Sequence, residues 1–224
     1  MNAKTLIEQM NAYYKKHAPW HDECMSYTGN AKMEKLLAPI IECCEEYITG
    51  KEVLEIACGT GNWTQVLAKR ARSVLATDVN ETVLEIARKK SFSNDKVAFQ
   101  VADAYSLNAV DGIFNVAFAA DWWSHIPKSA ISIFLESLHG KLCPGARVII
   151  IDMSFRDIFA QDYYLDEEGN AIYKRRLPNG QEFEVVKNFP TPKELLDIFN
   201  GIVNDIEYRE FDSLKRWMLT YTTK

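Results

Sequence analysis

The sequence lacks three features that would assign it to other classes of protein. It has no apolar run long enough to span a membrane, and residues 1–16 carry four charged side chains where a secretory signal would be apolar. It has no excess of positive charge, and its formal net charge of -5 repels nucleic acid and anionic membranes. Its five cysteines show no Cys-x-x-Cys spacing, which argues against a zinc site and a disulfide framework. We therefore expect a cytoplasmic protein with reduced thiols and without nucleic-acid or membrane partners.

The composition is that of one soluble domain. The chain has 224 residues, of which 47% are hydrophobic and 25% are charged. This length suffices for a single well-buried core, and the composition shows no bias toward disorder. We expect a single domain, and the sequence leaves its oligomeric state open.

The most informative segment is residues 53–62, where an apolar strand runs into a turn of small residues that opens a helix. Ala57, Gly59 and Gly61 have little or no side chain, so a ligand can lie against the backbone of this turn. Glu55 adds a carboxylate there. A carboxylate would repel the pyrophosphate of a dinucleotide at the helix N-terminus, so the turn favours a ligand that carries an ammonium group.

Strand and helix patterns alternate along the chain up to Asp152. An N-terminal helical stretch from Leu6 to about Ile48, interrupted at Pro19 and Gly29, precedes this alternation. Such alternation predicts a parallel sheet with both faces covered by helices. The predicted strands are 73–77, 97–101, 112–119 and 147–152, the predicted helices are 63–71, 81–90 and 128–142, and Pro144-Gly145 is the predicted turn before the last strand.

The pattern changes after Asp152. Strand-like runs flank Asn179-Gly180 within residues 170–187, which predicts a hairpin. Thr191, Pro192 and Glu194 form a capping-box pattern that begins a helix, and two strands near 205–211 and 215–222 are expected to close the sheet.

The order Glu55-x-Ala57-x-Gly59-x-Gly61 resembles the first motif of the class I S-adenosylmethionine-dependent methyltransferases, acidic-x-Gly-x-Gly-x-Gly. Ala57 replaces the first glycine, a small departure if its φ is negative. The resemblance covers residues 45–222 and implies a Rossmann-like, doubly wound, mostly parallel seven-stranded sheet with helices on both faces. It divides the single domain into a helical lid (1–45), a cofactor-binding core (45–152), an insertion with the hairpin (153–190) and a terminal helix with a strand pair (191–224).

The resemblance also implies the residues that hold S-adenosylmethionine. In an open α/β sheet the ligand lies beyond the carboxyl ends of the strands. Asp78 follows the second strand and would accept hydrogen bonds from both ribose hydroxyls, and Asp103-Ala104 would contact the adenine edge. The expected cofactor residues are Glu55, Ala57, Gly59, Gly61, Asn62, Trp63, Asp78, Val79, Asp103, Ala104 and Ala120.

Two residues are candidates for catalysis. His125, just past the fourth strand, could remove a proton from the acceptor, and Tyr14 belongs to an aromatic N-terminal segment that could close over the site. The alternative for His125 is a structural hydrogen bond at the start of the next helix. Expected acceptor-binding residues are Tyr13, Trp20, Asp121, Trp122 and Trp123, although aromatic residues at these positions could also be core packing.

The hairpin carries Lys174, Arg175, Arg176 and Lys187. A run of charged residues usually forms a solvated face, so we expect these four side chains to be exposed to water. The alternative is that they attract an acidic acceptor.

These features predict metal-independent methyl transfer to a small-molecule acceptor, by in-line displacement at the sulfonium methyl. A nucleic-acid base methyltransferase would need a polar, proline-containing segment after the fourth strand, which Ala120 to Trp123 do not form. A metal-dependent catechol-type site would need an amide where Met153 stands. A protein that binds S-adenosylmethionine without transferring its methyl group, and an aminopropyl-transferring enzyme on the same fold, are the alternatives.

Overall fold

The computed structural model describes residues 2–25, 31–93, 95–156 and 163–224, with side chains described from 2 to 22 and from 35 onward within those ranges. The predicted helix break at Gly29 lies outside the described residues. The helices are α1 (Ala3–Met25), α2 (Ala31–Ile48), α3 (Asn62–Ala68), α4 (Glu81–Ala87), α5 (Ile131–His139) and α6 (Pro192–Phe199). None of the described helices is both long enough and apolar enough to cross a bilayer.

The described strands form a large sheet and a small one. They are β1 (Glu52–Ile56), β2 (Ser73–Asp78), β3 (Val97–Val101), β4 (Phe114–Ala120), β5 (Leu142–Met153), β6 (Tyr163–Leu165), β7 (Ala171–Arg176), β8 (Glu182–Val186), β9 (Asn204–Phe211) and β10 (Arg216–Thr222). The seven-stranded sheet has the order β3-β2-β1-β4-β5-β10-β9, and β6-β7-β8 form the second sheet. Strands β1 to β5 pair in parallel, whereas β10 is antiparallel to β5 and β9. The predicted Rossmann-like topology is confirmed.

Helices cover both faces of the large sheet because successive strand residues point to opposite sides. On β1, Val53 packs with α2 and α3, while the next residue, Leu54, packs in the cluster that contains α5 and α6. The strand order reverses between β1 and β4, which neighbour each other, so loops from both halves of the sheet meet at its carboxyl edge.

Several predicted boundaries are wrong, and the helices predicted to end at 71 and 90 end at Ala68 and Ala87. Pro19 lies inside α1, on its exposed side, where water can satisfy the backbone carbonyl that proline leaves without a donor. Pro144-Gly145 is an irregularity within β5, since Phe114 pairs with Leu142 whereas Val116 pairs with Arg147. The helix predicted over 128–142 is the shorter α5, preceded by a 3-10 turn at Lys128–Ala130.

The predicted hairpin and terminal elements are confirmed. Strands β7 and β8 flank Asn179-Gly180 and pair antiparallel, and Thr191 and Glu194 cap α6 reciprocally. Helix α1 packs Leu6 and Met10 against the hairpin in a small apolar cluster of its own. This contact positions α1 over the carboxyl edge of the large sheet.

Candidate active site

The turn after β1 has a left-handed backbone at each of its three small residues. The φ angles of Ala57, Gly59 and Gly61 are 52°, 55° and 81°. The condition under which alanine would be a small departure from glycine, a negative φ at Ala57, is therefore not met: the turn geometry sets the sign of φ, and alanine adopts it at a strain of about 1–2 kcal/mol. A Cβ on Gly61 would lie 3.1 Å from the Cβ of Ala87, so a side chain there would crowd α4 in addition to the strain of the positive φ.

Glu55 is buried beneath this turn. It is 2% exposed, and one carboxyl oxygen accepts a hydrogen bond from the Thr64 hydroxyl at 2.6 Å. Burial raises its pKa to about 8, against the lowering effect of the Thr64 hydrogen bond. Glu55 is thus largely uncharged at neutral pH in the free protein, and an ammonium group brought beside it would favour the ionised form.

Asp78 joins the end of β2 to the glycine turn. Its carboxylate accepts hydrogen bonds from the backbone N–H of Gly59 at 3.0 Å and of Asn80 at 2.9 Å. Burial raises the pKa of Asp78 to about 6 despite these backbone hydrogen bonds. The carboxylate therefore lies at the carboxyl ends of β1 and β2, where the sequence expectation put it.

The remaining cofactor candidates lie at the same edge or just below it. Asp103 is exposed after β3 and accepts the Tyr105 N–H at 2.9 Å, and Ala104 beside it is buried. Ala120 ends β4 and is half-buried, Val79 is 38% exposed, and Asn62 is buried at the start of α3. Trp63 lies deeper, in the core on the α2 face, with its ring 5.3 Å from that of Phe118.

Helix α1 lies across the glycine turn. Asp22 accepts hydrogen bonds from the Thr60 hydroxyl at 2.5 Å and the Asn62 amide at 3.2 Å, and pairs with Lys90 at 2.8 Å. His21 is the nearest described side chain to Gly59, 3.9 Å from where a Cβ would stand. Sequence reasoning missed Asp22, because nothing near it in the chain marks it as a partner of a turn 38 residues away.

Nearer the N-terminus of α1, a tyrosine forms a hydrogen bond with a histidine of the loop after β4. The Tyr14 hydroxyl is 2.9 Å from His125 Nε2, and His125 Nδ1 is 2.7 Å from the carbonyl oxygen of Val186. A carbonyl only accepts hydrogen bonds, so Nδ1 carries the proton and Nε2 accepts from the Tyr14 hydroxyl. Burial first, and the charge of Lys187 second, hold the pKa of His125 well below its usual value. His125 is therefore neutral, with its basic nitrogen directed at Tyr14.

A buried ion pair supports the loop that carries His125. Asp152 is fully buried and accepts the Ser124 N–H at 2.8 Å and the Ser124 hydroxyl at 3.1 Å. Lys187 donates to the Ser124 hydroxyl oxygen at 2.7 Å and lies 3.5 Å from Asp152. The expectation of a solvated Lys187 is wrong, because this residue is 6% exposed and pairs with a carboxylate at the end of β5.

Asp121, directly after β4, forms a two-point ion pair with Arg216, at 2.7 and 3.3 Å. Its φ is 56°, a left-handed conformation in which the carboxylate meets the start of β10. Sequence reasoning missed Arg216, because the first residue of a C-terminal strand reaches the carboxyl edge only through the antiparallel pairing of β10 with β5. The Asp121 and Asp152 carboxylates are therefore both bound to cationic side chains of the protein.

Of the predicted aromatic residues, Tyr13, Trp20 and Trp122 are half-buried, whereas Trp123 is buried in the core. On α1, Tyr13 contacts Tyr14 and stacks on His17, with the ring centroids of Tyr13 and His17 5.3 Å apart. Trp122 is half-buried beside Tyr105, at 5.8 Å. Trp123, in contrast, is 3% exposed and packs on Phe199 in the core.

The chain is similar in sequence and in fold to known methyltransferases. Residues 53–155 match a methyltransferase domain family. Demethylmenaquinone methyltransferases from strains of Staphylococcus aureus are 27% identical over 175 residues, spanning 72% of this chain and 71% of the relative. A DhpI-SAM-HEP complex is 26% identical, with a TM-score of 0.80 and 99% of both chains covered. A methyltransferase from Clostridium acetobutylicum, 18% identical with a TM-score of 0.64 over 94% and 98% of the chains, shares the fold.

The chain is a class I S-adenosylmethionine-dependent methyltransferase. Its residues fit that cofactor: Gly59 presents backbone without a side chain beneath α1, and the Asp78 carboxylate accepts the Gly59 N–H. A carboxylate at this point suits ribose hydroxyls, and the buried carboxyl of Glu55 suits an ammonium group.

Proposed function

We propose that this methyltransferase acts on a small-molecule acceptor bound beneath α1, with Tyr14 and His125 receiving the proton that the acceptor loses. The observation that carries the proposal is the hydrogen bond from the Tyr14 hydroxyl to His125 Nε2, between residues 111 positions apart. The same helix that supplies Tyr14 also holds the glycine turn through Asp22. One helix thus roofs both the cofactor turn and the proton acceptor.

The two parts of the site are a short distance apart. Tyr14 and Asp22 are separated by eight residues of helix, which is a rise of about 12 Å. A molecule between them would be covered by α1 on one side and by the ends of β1 and β4 on the other. Such a covered space suits a small acceptor and excludes water from the transfer. We therefore infer that α1 acts as the lid of the site, and that the acceptor is not a macromolecule.

S-adenosylmethionine supplies a methyl group on a sulfonium, so the bond to the acceptor forms as the carbon–sulfur bond breaks and its electron pair stays on sulfur. The protein has to align the acceptor and take its proton. Tyr14 can accept that proton at its oxygen while passing its own to His125 Nε2, and the Val186 carbonyl stabilises the resulting imidazolium at Nδ1. Asp78, Asp103 with Ala104, and Glu55 would hold the ribose, adenine and ammonium groups.

The curated relatives support a small acceptor, since demethylmenaquinone methyltransferases carry the name of a small molecule. We also infer that the reaction needs no metal ion. Asp121 is paired with Arg216, and Asp152 with Ser124 and Lys187. Neither carboxylate is available for a cation without breaking its ion pair.

The test is turnover of S-adenosylmethionine with a panel of small hydroxyl, amine, thiol and carboxylate compounds. Turnover is measured as the release of S-adenosylhomocysteine. At least one compound should raise product release well above the rate without acceptor, and EDTA should leave that rate unchanged. If only macromolecular substrates accept methyl groups, the small-molecule proposal is wrong. If EDTA abolishes turnover and magnesium restores it, the metal-independent mechanism is wrong.

A further inference from the structure

One cation near the Tyr14–His125 pair has no carboxylate partner among the described residues. The charged groups that act on this pair include Arg175, Lys187, Asp121 and Asp152, and Asp121 is paired with Arg216. Lys187 and Arg216 are each paired with one of these carboxylates. Arg175 remains without an ion pair to a described residue, and its guanidinium lies over the ring of Tyr173, 5.6 Å from the centroid.

The strand register directs Arg175 toward α1. Arg175 pairs with Phe183 across the hairpin, so both side chains lie on the same face of it. The Phe183 ring lies 5.8 Å from that of Tyr13 on α1. Lys174, the preceding residue, pairs with Glu184 on the opposite face and is exposed. One cation of the hairpin therefore faces the site, while its neighbour faces solvent.

A second polar group on this face has no partner. His17 Nδ1 is buried and makes no hydrogen bond to any described residue. His17 lies three residues after Tyr14, on the same side of α1. Burial, and next the charge of Arg175, lower the pKa of His17 below its usual value. A buried nitrogen without a partner is destabilising, and an oxygen atom from a ligand would satisfy it.

We propose that Arg175 and His17 form an anion subsite that binds a carboxylate or phosphate group of the methyl acceptor. This inference rests on the proposed function, because it concerns the acceptor of the same transfer. Arg175 supplies a charge-assisted, two-point contact to the anion, and His17 donates from Nδ1. An anion there also balances the positive charge that a sulfonium adds to the site. The reacting atom of the acceptor then lies toward Tyr14, one helical turn away.

The test compares Arg175→Gln with Lys174→Gln, which removes the same charge from the adjacent position. Acetate and inorganic phosphate are titrated at constant ionic strength into protein saturated with S-adenosylhomocysteine, and binding is measured by calorimetry. Wild type and Lys174→Gln should bind at least one probe saturably, and Arg175→Gln should bind it at least tenfold more weakly. The tighter probe indicates which anion the acceptor carries.

A second variant tests His17, and the affinity for S-adenosylhomocysteine reports whether each variant is folded. His17→Phe keeps a ring stacked on Tyr13 but removes the nitrogen, and it should weaken binding of the probe several-fold. S-adenosylhomocysteine affinity should stay within about twofold in all variants. The subsite is overturned if wild type binds neither probe, or if Arg175→Gln binds both as tightly as wild type. It is also overturned if Arg175→Gln loses S-adenosylhomocysteine affinity instead, which would assign Arg175 to the cofactor. If wild type does not bind S-adenosylhomocysteine at all, the proposed function fails first.

Discussion

Two tyrosine–histidine pairs among the described residues have the same chemistry and lie at opposite edges of the large sheet. Tyr14 and His125 meet at the carboxyl edge, with 2.9 Å between oxygen and nitrogen. Tyr221 and His139 meet at 2.8 Å, where Tyr221 pairs with Val148 near the start of the regular part of β5. Burial lowers the pKa of both histidines.

The difference between the pairs lies in their surroundings. His125 has its second nitrogen fixed by the Val186 carbonyl, and its tyrosine comes from a helix that also contacts the glycine turn. His139 joins α5 to β10 within a cluster of apolar side chains, with the Tyr221 ring 4.8 Å from Phe199. Ligands of open α/β sheets bind at the carboxyl edge. The proposed proton acceptor and the structural contact therefore differ in their location and covering and not in the chemistry of the pair.

The largest expected effect separates the two histidines. His125→Ala should lower the rate of methyl transfer by about 10²-fold or more, because a positioned proton acceptor contributes that much. His139→Ala, the matched control, should change the rate by only a few-fold. The measurement is S-adenosylhomocysteine release at saturating cofactor and acceptor. Equal effects of the two changes would show that His125 is structural, the alternative that its position also allows.

The next effect concerns cofactor affinity at the same edge. Asp78→Ala should weaken S-adenosylmethionine binding by about 1.5–3 kcal/mol, since it removes a carboxylate that accepts charge-assisted hydrogen bonds. The control is Asp205→Ala, which removes an exposed carboxylate bonded to Thr222 at the opposite edge. Calorimetric titration of both variants tests this. Wild-type affinity in Asp78→Ala would contradict the role of Asp78.

Glu55 gives a smaller, pH-dependent effect on stability. Folding raises its pKa from 4.5 to about 8, so the folded state binds the proton more tightly than the unfolded state. The contribution of this proton to the free energy of unfolding is fully present below pH 4.5 and is lost as the pH rises through 8. Between pH 6 and pH 8 the loss is about 2 kcal/mol.

Glu55→Gln should remove this pH-dependent contribution to stability, because glutamine does not titrate and still accepts a hydrogen bond from Thr64. Urea unfolding at pH 6 and pH 8 should therefore show a smaller decline for the variant than for the wild type. Parallel declines in the two proteins would mean that Glu55 is already ionised at pH 6.

The smallest effect tests the structural pair. Tyr221→Phe should lower the free energy of unfolding by about 1 kcal/mol, the usual contribution of one hydrogen bond, and leave methyl transfer unchanged. Tyr14→Phe should do the reverse and reduce transfer while changing stability less. Chemical denaturation and rate measurements on both variants decide between these roles. A loss of transfer in Tyr221→Phe would remove the distinction between the two edges.

The local order of residues was enough to predict the parts of the site that lie next to strands. The alternation of strands and helices gave the parallel sheet, and the glycine turn and Asp78 followed because each comes directly after a strand. The capping box at Thr191 was equally readable, since its partners are three residues apart. Patterns of this kind depend on periodicity and on turn chemistry, which act over a few residues.

Contacts across the chain were decided only by the tertiary structure. The sequence predicted that Tyr14, Trp20, Trp123 and His125 face one pocket, but the packing of α1 on the hairpin decided that Tyr14 and His125 are hydrogen-bonded, while Trp123 packs in the core. The same packing placed Asp22 on the glycine turn, and the antiparallel β10 carried Arg216 to Asp121. The burial of Lys187 and the left-handed φ of Ala57 also depend on the surrounding fold and not on neighbouring residues. The physical reason is that hydrophobic packing fixes these elements, while the polar side chains they carry have no local signal of their partners.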